Sequence, residues 1–291
     1  MQIFLLCLIL VGFLSAKAGL VDEKARSALT DLILSVFLPC NILASFFGTS
    51  RSQLPSMGIM LIISLGVMTI SIVLAHIFFY KTAAEQKKVL LYATLIPNAS
   101  LLGNPLIESI YGTAALPYVA AYLVPLRIAL WSLGIAIFTV GKTSLRKIIF
   151  HPCLVASYLG ILVMITEFNP PPLLSRIVVS LGNCTTPLSM MVVGAILGLV
   201  KAKKMFTPLT VYFSFIRLIF IPLLVMGILM LFRPDPIITN ISVVLNGTPA
   251  GITTVILADK YGSDKELASK IVCVTILLSM VTIPALVWIL G

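Results

Sequence analysis

Residues 56–80 run for about 25 positions without an aspartate, glutamate, lysine or arginine, and residues 89–107 and 177–200 do nearly the same. A hydrocarbon layer of about 30 Å is crossed by roughly 20 apolar residues at the rise of an α-helix. Lipid offers no partner to backbone N–H and C=O groups, so a chain with several such runs is restricted to helices or to a closed barrel. Continuous apolar runs, in place of alternating ones, select helices. The rest of the chain agrees. Of its 291 residues 59% are hydrophobic and 10% charged, against about 25% charged in soluble domains, and the mean hydropathy is +1.13. The expected fold class is an all-α polytopic membrane protein.

Apolar segments and loop residues predict ten transmembrane helices, at 2–16, 28–47, 56–80, 87–110, 114–141, 151–168, 173–200, 207–232, 236–259 and 266–290. The first lacks a basic n-region and a small-residue cleavage site, so it reads as a span and not as a signal peptide. It is short, which leaves the N-terminal boundary open. The connections are too short for a soluble domain. Cys7, Cys40, Cys153, Cys184 and Cys273 fall one per apolar segment, without metal-ligand spacing, and read as small buried side chains.

The net charge of +10 comes from scattered loop residues with no aromatic interleaving, which argues against nucleic acid. Its distribution orders the chain. Lys17, Lys24 and Arg26 follow span one; Lys81, Lys87 and Lys88 follow span three; Lys142, Arg146 and Lys147 follow span five. Lys201, Lys203 and Lys204 follow span seven, and Lys260, Lys265 and Lys270 follow span nine. The alternate loops hold only Arg51, Arg176 and Arg233, fifteen basic residues against three. The positive-inside rule then places the odd loops in the cytoplasm and both termini outside the cell (inner) membrane.

Spans four and nine carry helix breakers in mid-course. The first reads "IPNASLLGNP" (96–105), the second "NGTPAGI" (246–252). The halves match at an offset near 150: Tyr111-Gly112-Thr113 with Tyr261-Gly262-Ser263, Pro97 with Pro249, and Pro39 with Pro187. A duplicated five-helix unit follows, over 1–145 and 146–291. Because each unit has an odd number of spans, the second enters the membrane inverted, a pattern of secondary transporters.

The blocks "AKAGLVDEKARSALTDLILSVFLPCNILASF" (16–46), "LIPNASLLGNPLIESIYG" (95–112) and "LNGTPAGITTVILADKYG" (245–262) resemble the auxin efflux carrier family in its short-loop bacterial form, which includes malate and malonate permeases. The resemblance covers essentially the whole chain. It implies two inverted five-helix repeats with broken helices four and nine crossing near the midplane. It also implies a scaffold of helices 1, 2, 6 and 7 that often forms a homodimer, and a transport domain of helices 3–5 and 8–10. The short first helix is the one departure.

A break tolerated at membrane depth has to meet protein or line a cavity. Half-helix N-termini there present free N–H groups to an anion. The candidate substrate-binding residues are Pro97, Asn98, Asn104, Asn246, Thr248 and Pro249, with Asn98 carried over from the family most directly. Arg127 and Arg217 are added because both lie inside spans, roughly 15–22 Å from the cytoplasmic end at 1.5 Å per residue, without an acidic residue three or four positions away. An intramembrane arginine is costly and marks a substrate path or a structural pairing with backbone carbonyls, and its fork suits a carboxylate.

No carboxylate pair lies at the midplane, which argues against a cation/proton antiporter of this type. Glu108 and Asp259, near equivalent span ends, are the only acidic residues close to the membrane interior, and His76 and His151 read as interfacial. The absence of a phosphate loop, an HExxH motif or a nucleophile elbow argues against an enzyme. No cofactor is expected. The leading reading is a secondary transporter of small organic anions such as malate-like carboxylates, working by alternating access, with Na+ or H+ open as coupling ion. A sodium-coupled bile-acid-type symporter and a non-transporting membrane sensor are the alternatives.

Overall fold

The computed structural model describes residues 2–47, 51–131, 133–138, 150, 152–199 and 205–291. His151 and the basic loops at 142–147 and 201–204 fall outside them, as do the side chains of Arg51 and Asp259. Among the described residues the chain is helical throughout, without strands, apart from one isolated β-bridge. Six helical stretches are long and apolar enough to cross a membrane: Glu23–Ser45, Leu54–Phe78, Thr113–Leu130, Pro172–Gly198, Pro208–Phe232 and Lys265–Leu290.

The helices begin where the sequence supplies caps. Helix α1 spans Gln2–Lys17. Asp22 opens α2 (Glu23–Leu32) by accepting from the Ala25 N–H at 2.7 Å. A π-helical turn over Ile33–Phe37 leads into α3 (Leu38–Ser45). Helix α4 covers Leu54–Phe78. The predicted fourth span is two helices, α5 (Ala84–Leu95) and α6 (Asn104–Tyr111), separated by an extended step and a π turn over Ala99–Gly103. Helices α7 (Leu116–Trp131) and α8 (Leu133–Phe138) follow. Then come α9 (Pro152–Thr166), α10 (Pro172–Asn183) and α11 (Thr185–Leu199), the last two divided at Cys184. A capping box between Thr207 and Thr210 starts α12 (Pro208–Phe215), which runs through a π turn at Ile216–Phe220 into α13 (Ile221–Phe232). The predicted ninth span is likewise two helices, α14 (Pro236–Asn246), capped by Asp235, and α15 (Thr253–Lys260). Asp264 caps the final helix, α16 (Lys265–Leu290).

Among the described residues all three π turns precede a proline: Pro39, Pro105 and Pro222 each stand two residues past the end of the turn. Proline has no N–H, and its ring collides with the carbonyl four residues back. Widening the helix moves that carbonyl aside. It also leaves the carbonyl five residues back without its donor. For Pro39 that carbonyl belongs to Leu34, and the Cys153 thiol donates to it at 3.3 Å. The repeated Tyr-Gly has a local explanation too. Gly112 (φ 78°) ends α6 and Gly262 (φ 67°) follows α15, both at a positive φ that glycine adopts without a Cβ penalty.

The described chain groups into two compact units. Unit 1 takes residues Met1–Met60, Ser100–Val124 and Ile149–Val200. Inside it α1 lies against α11, where Gly12 and Gly194 let the two backbones touch. Helices α9 and α10 pack on α3. The approach of α10 to α3 is so close that a Cβ at Gly182 would sit 2.9 Å from the Asn41 Cα.

Unit 2 takes residues Leu61–Ala99, Pro125–Ile148 and Lys201–Gly291. Its hub is α16, which packs against α5, α12, α14, α15 and the 216–220 turn. Phe78 and Phe79 dock the end of α4 on Tyr212, Phe213 and Phe220 through ring contacts, including Phe78–Phe220 at 5.4 Å.

Candidate functional site

Within unit 2, both helix breaks meet. Helix α5 ends at Leu95 and Ile96 turns extended (φ −108°, ψ 99°), as the residue before a proline is biased to do. Helix α14 ends at Asn246, and the chain stays non-helical until Thr253. The two extended pieces pair as a short antiparallel bridge centred on Pro97 and Ala250. The Asn98 N–H donates to the Pro249 carbonyl at 2.8 Å, and the Gly251 N–H to the Ile96 carbonyl at 2.9 Å. Pro97 occupies the bridge position whose own N–H would point away from the partner, so its missing donor costs the bridge nothing. Each broken helix therefore supplies backbone partners that lipid cannot.

Neighbouring helices complete the repair. The Ala250 N–H donates to Thr275 Oγ1 on α16 at 3.2 Å, and the same hydroxyl donates back to Ile271. Tyr92, wholly buried on α5, donates from its hydroxyl to Thr253 Oγ1 at 2.7 Å, which ties α5 to the first residue of α15. The Phe138 ring packs on Tyr92 with centroids 5.5 Å apart. Gly251 is small for a reason: a Cβ there would lie 3.0 Å from the Ile96 carbonyl oxygen.

The polar side chains around the bridge divide into two kinds. Asn246 and Thr248 are buried and spend their donors locally, on the carbonyls of Ser242 (2.9 Å) and Leu245 (2.7 Å). Asn98 does not. It is 4% exposed, and its Nδ2 has no hydrogen-bond partner. The Thr254 hydroxyl, fully buried in the first turn of α15, likewise has none. An amide or hydroxyl buried in this way loses about 1–3 kcal/mol relative to a satisfied one.

The two intramembrane arginines belong to the same unit as the bridge. Arg217 is 0% exposed in the π turn that packs on α16, and Arg127 is 6% exposed, two residues after Pro125 in α7. They are the only buried charged side chains among the described residues.

Asn104 lies in unit 1. Its Nδ2 donates to Asn41 Oδ1 at 3.1 Å, and Asn41 Nδ2 reaches the Gly182 carbonyl at 3.5 Å. Glu108, one turn along α6 from Asn104, accepts from Thr186 Oγ1 at 3.0 Å.

Sequence reasoning located Pro97, Asn98, Thr248 and Pro249 at the crossing but missed Thr275, Tyr92, Thr253 and Thr254. Thr253 and Thr254 carried a signal, as hydroxyl residues opening a half-helix. Thr275 and Tyr92 carried none, because each is an ordinary residue on its own helix that acquires its role from a chain segment far away in sequence.

A family described as "Membrane transport protein" matches residues 2–142 and again 136–289. The chain belongs to this family, the auxin efflux carriers. Among its relatives in the family, an uncharacterized transporter of Methanothermobacter thermautotrophicus is 23% identical over 96% of this chain and 94% of its own. An uncharacterized transporter of Methanocaldococcus jannaschii is 25% identical over 99% and 97%. A Rhizobium meliloti protein bearing the name "Putative malonate transporter" is 27% identical over 50% of this chain and 45% of its own length. As a carrier of the auxin efflux family, this protein is a multi-pass membrane transporter.

Proposed function

We propose that this transporter is a secondary carrier of small organic anions, malonate- or malate-like carboxylates, and that the substrate binds beside the Pro97–Ala250 bridge. The observation that carries the reading is Asn98. Its amide nitrogen is buried, lacks a partner, and stands where two broken helices close on one another. A carboxylate oxygen accepts from such an amide, and the hydrogen bond to a charged group is stronger than one to a neutral group. The Thr254 hydroxyl offers a second donor. Arg127 and Arg217 supply positive charge of the sign that an anion requires. Pro97 and Pro249 hold the bridge open as extended backbone, while Asn246 and Thr248 shape the ends of the helices around it. Asn104 is assigned instead to the Asn41 contact. The Rhizobium relative's name supports a dicarboxylate among the possible anions.

Ten spans in two inverted repeats, with both termini outside, are part of the same proposal. They are supported by the alternating basic loops and by the antiparallel meeting of the two breaks. Counterflow of labelled malonate and malate into proteoliposomes tests the function. Exchange that is specific and lost in Asn98→Ala supports it. Binding without counterflow would make the protein a sensor, and exchange that requires sodium with a steroid-like anion would make it a bile-acid-type symporter.

A further inference from the structure

Helix α11 opens with three hydroxyl residues, Thr185, Thr186 and Ser189. Thr186 donates to Glu108. Thr185 and Ser189 are 1% and 0% exposed, and neither hydroxyl has a hydrogen-bond partner. This departs from the habit of the chain. Thr94, Ser157, Ser214 and Ser279 are buried as deeply, and each donates to a carbonyl three or four residues back on its own helix. Thr185 and Ser189 have the same option and do not take it. They stand one turn apart on the side of α11 away from Gly194 and Gly198, where α1 packs. Helices α2 and α6 also pack on α11.

Glu108 brings the charge. Its carboxylate is half-buried on α6, makes one hydrogen bond, and has no ion pair with a lysine or arginine among the described residues. Asn104 precedes it by one turn, with its Nδ2 already given to Asn41, so its amide oxygen remains as an acceptor.

These groups offer oxygen lone pairs, one formal negative charge and few donors. Hard cations bind such sets. A single carboxylate among neutral oxygens matches a monovalent ion better than Ca2+ or Mg2+, whose sites draw on more carboxylates or retained waters.

We propose that unit 1 binds a sodium ion on the Glu108 carboxylate and the Thr185 and Ser189 hydroxyls, where α6 meets the first turn of α11. The site uses none of the residues assigned to the organic anion, so either assignment stands or fails without the other.

Thermal unfolding of the purified full-length protein in sodium, potassium and choline chloride at equal ionic strength tests it, since an ion bound to the folded state raises its apparent stability. The expected result is a rise in Tm of several degrees in sodium over choline, with potassium giving less. Glu108→Gln and Ser189→Ala should abolish or flatten the sodium-specific rise while unfolding remains cooperative. If Glu108→Gln does not fold, Ser189→Ala carries the test, with half-saturation shifted to at least tenfold higher sodium. Equal response to all three salts overturns the proposal, as does a sodium-specific rise retained in the variants. A pH-dependent rise lost in Glu108→Gln without preference for sodium would assign the site to a proton and also overturns it. Protection by malonate, measured in the same samples, reports on the anion site independently.

Discussion

At the scale of single residues, the site depends on which polar atoms are already committed. Asn246 and Thr248 are spent on their own helices; Asn98 Nδ2 is not. Removing that amide should therefore affect substrate and leave the fold intact. Asn98→Ala is expected to weaken apparent affinity by roughly 10–100-fold, the equivalent of about 1.5–3 kcal/mol for a hydrogen bond to a charged group. Substrate-concentration dependence of counterflow measures it, and an unchanged affinity would return Asn98 to a capping role. Arg217 tests charge against geometry. Arg217→Ala should lower transport by at least about tenfold, and Arg217→Lys should recover only part of it, because a lysine keeps the charge and loses the planar fork. Equal activity in both variants would make the arginine dispensable to the anion.

At the scale of elements, two defects beside prolines are repaired by groups from elsewhere. The Leu34 carbonyl freed by Pro39 is met by Cys153 of α9; the Ala250 N–H at the bridge is met by Thr275 of α16. Thr275→Val keeps the shape and removes the acceptor. It should cost about 1–3 kcal/mol through an unsatisfied buried N–H, seen as lowered thermal stability with substrate affinity changed less than in Asn98→Ala. Glycine contacts act in the other direction. A Cβ at Gly182 meets the Asn41 backbone, which cannot yield as a side-chain tip can. Gly182→Ala should destabilise by about 1–3 kcal/mol from overpacking, measurable as a fall in Tm of the purified protein.

At the scale of the whole molecule, the alternation of basic loops predicts orientation. In a cysteine-free background, Gly291→Cys should react with a membrane-impermeant thiol reagent in intact cells. Gln86→Cys should react only after permeabilisation; the reverse pattern would invert the topology.

Much of this was legible in the sequence, because lipid removes most alternatives. A run of apolar residues too long for a soluble helix, interrupted by proline and glycine, fixes both helix and break from composition and local sterics alone. Spans expected at 56–80, 207–232 and 266–290 are observed as helices at Leu54–Phe78, Pro208–Phe232 and Lys265–Leu290. The breaks expected near Pro97 and Pro249 are where α5 and α14 end. The tertiary structure alone decided what closes them. A backbone bridge between residues about 150 positions apart is a property of two segments brought together, and no local preference encodes it. The same holds for the fate of each asparagine. Asn98 and Asn104 lie six residues apart in one motif, yet one keeps a buried amide nitrogen without a partner and the other gives its amide to Asn41. Side-chain chemistry set what each was able to bond, and only packing determined which partner came within reach.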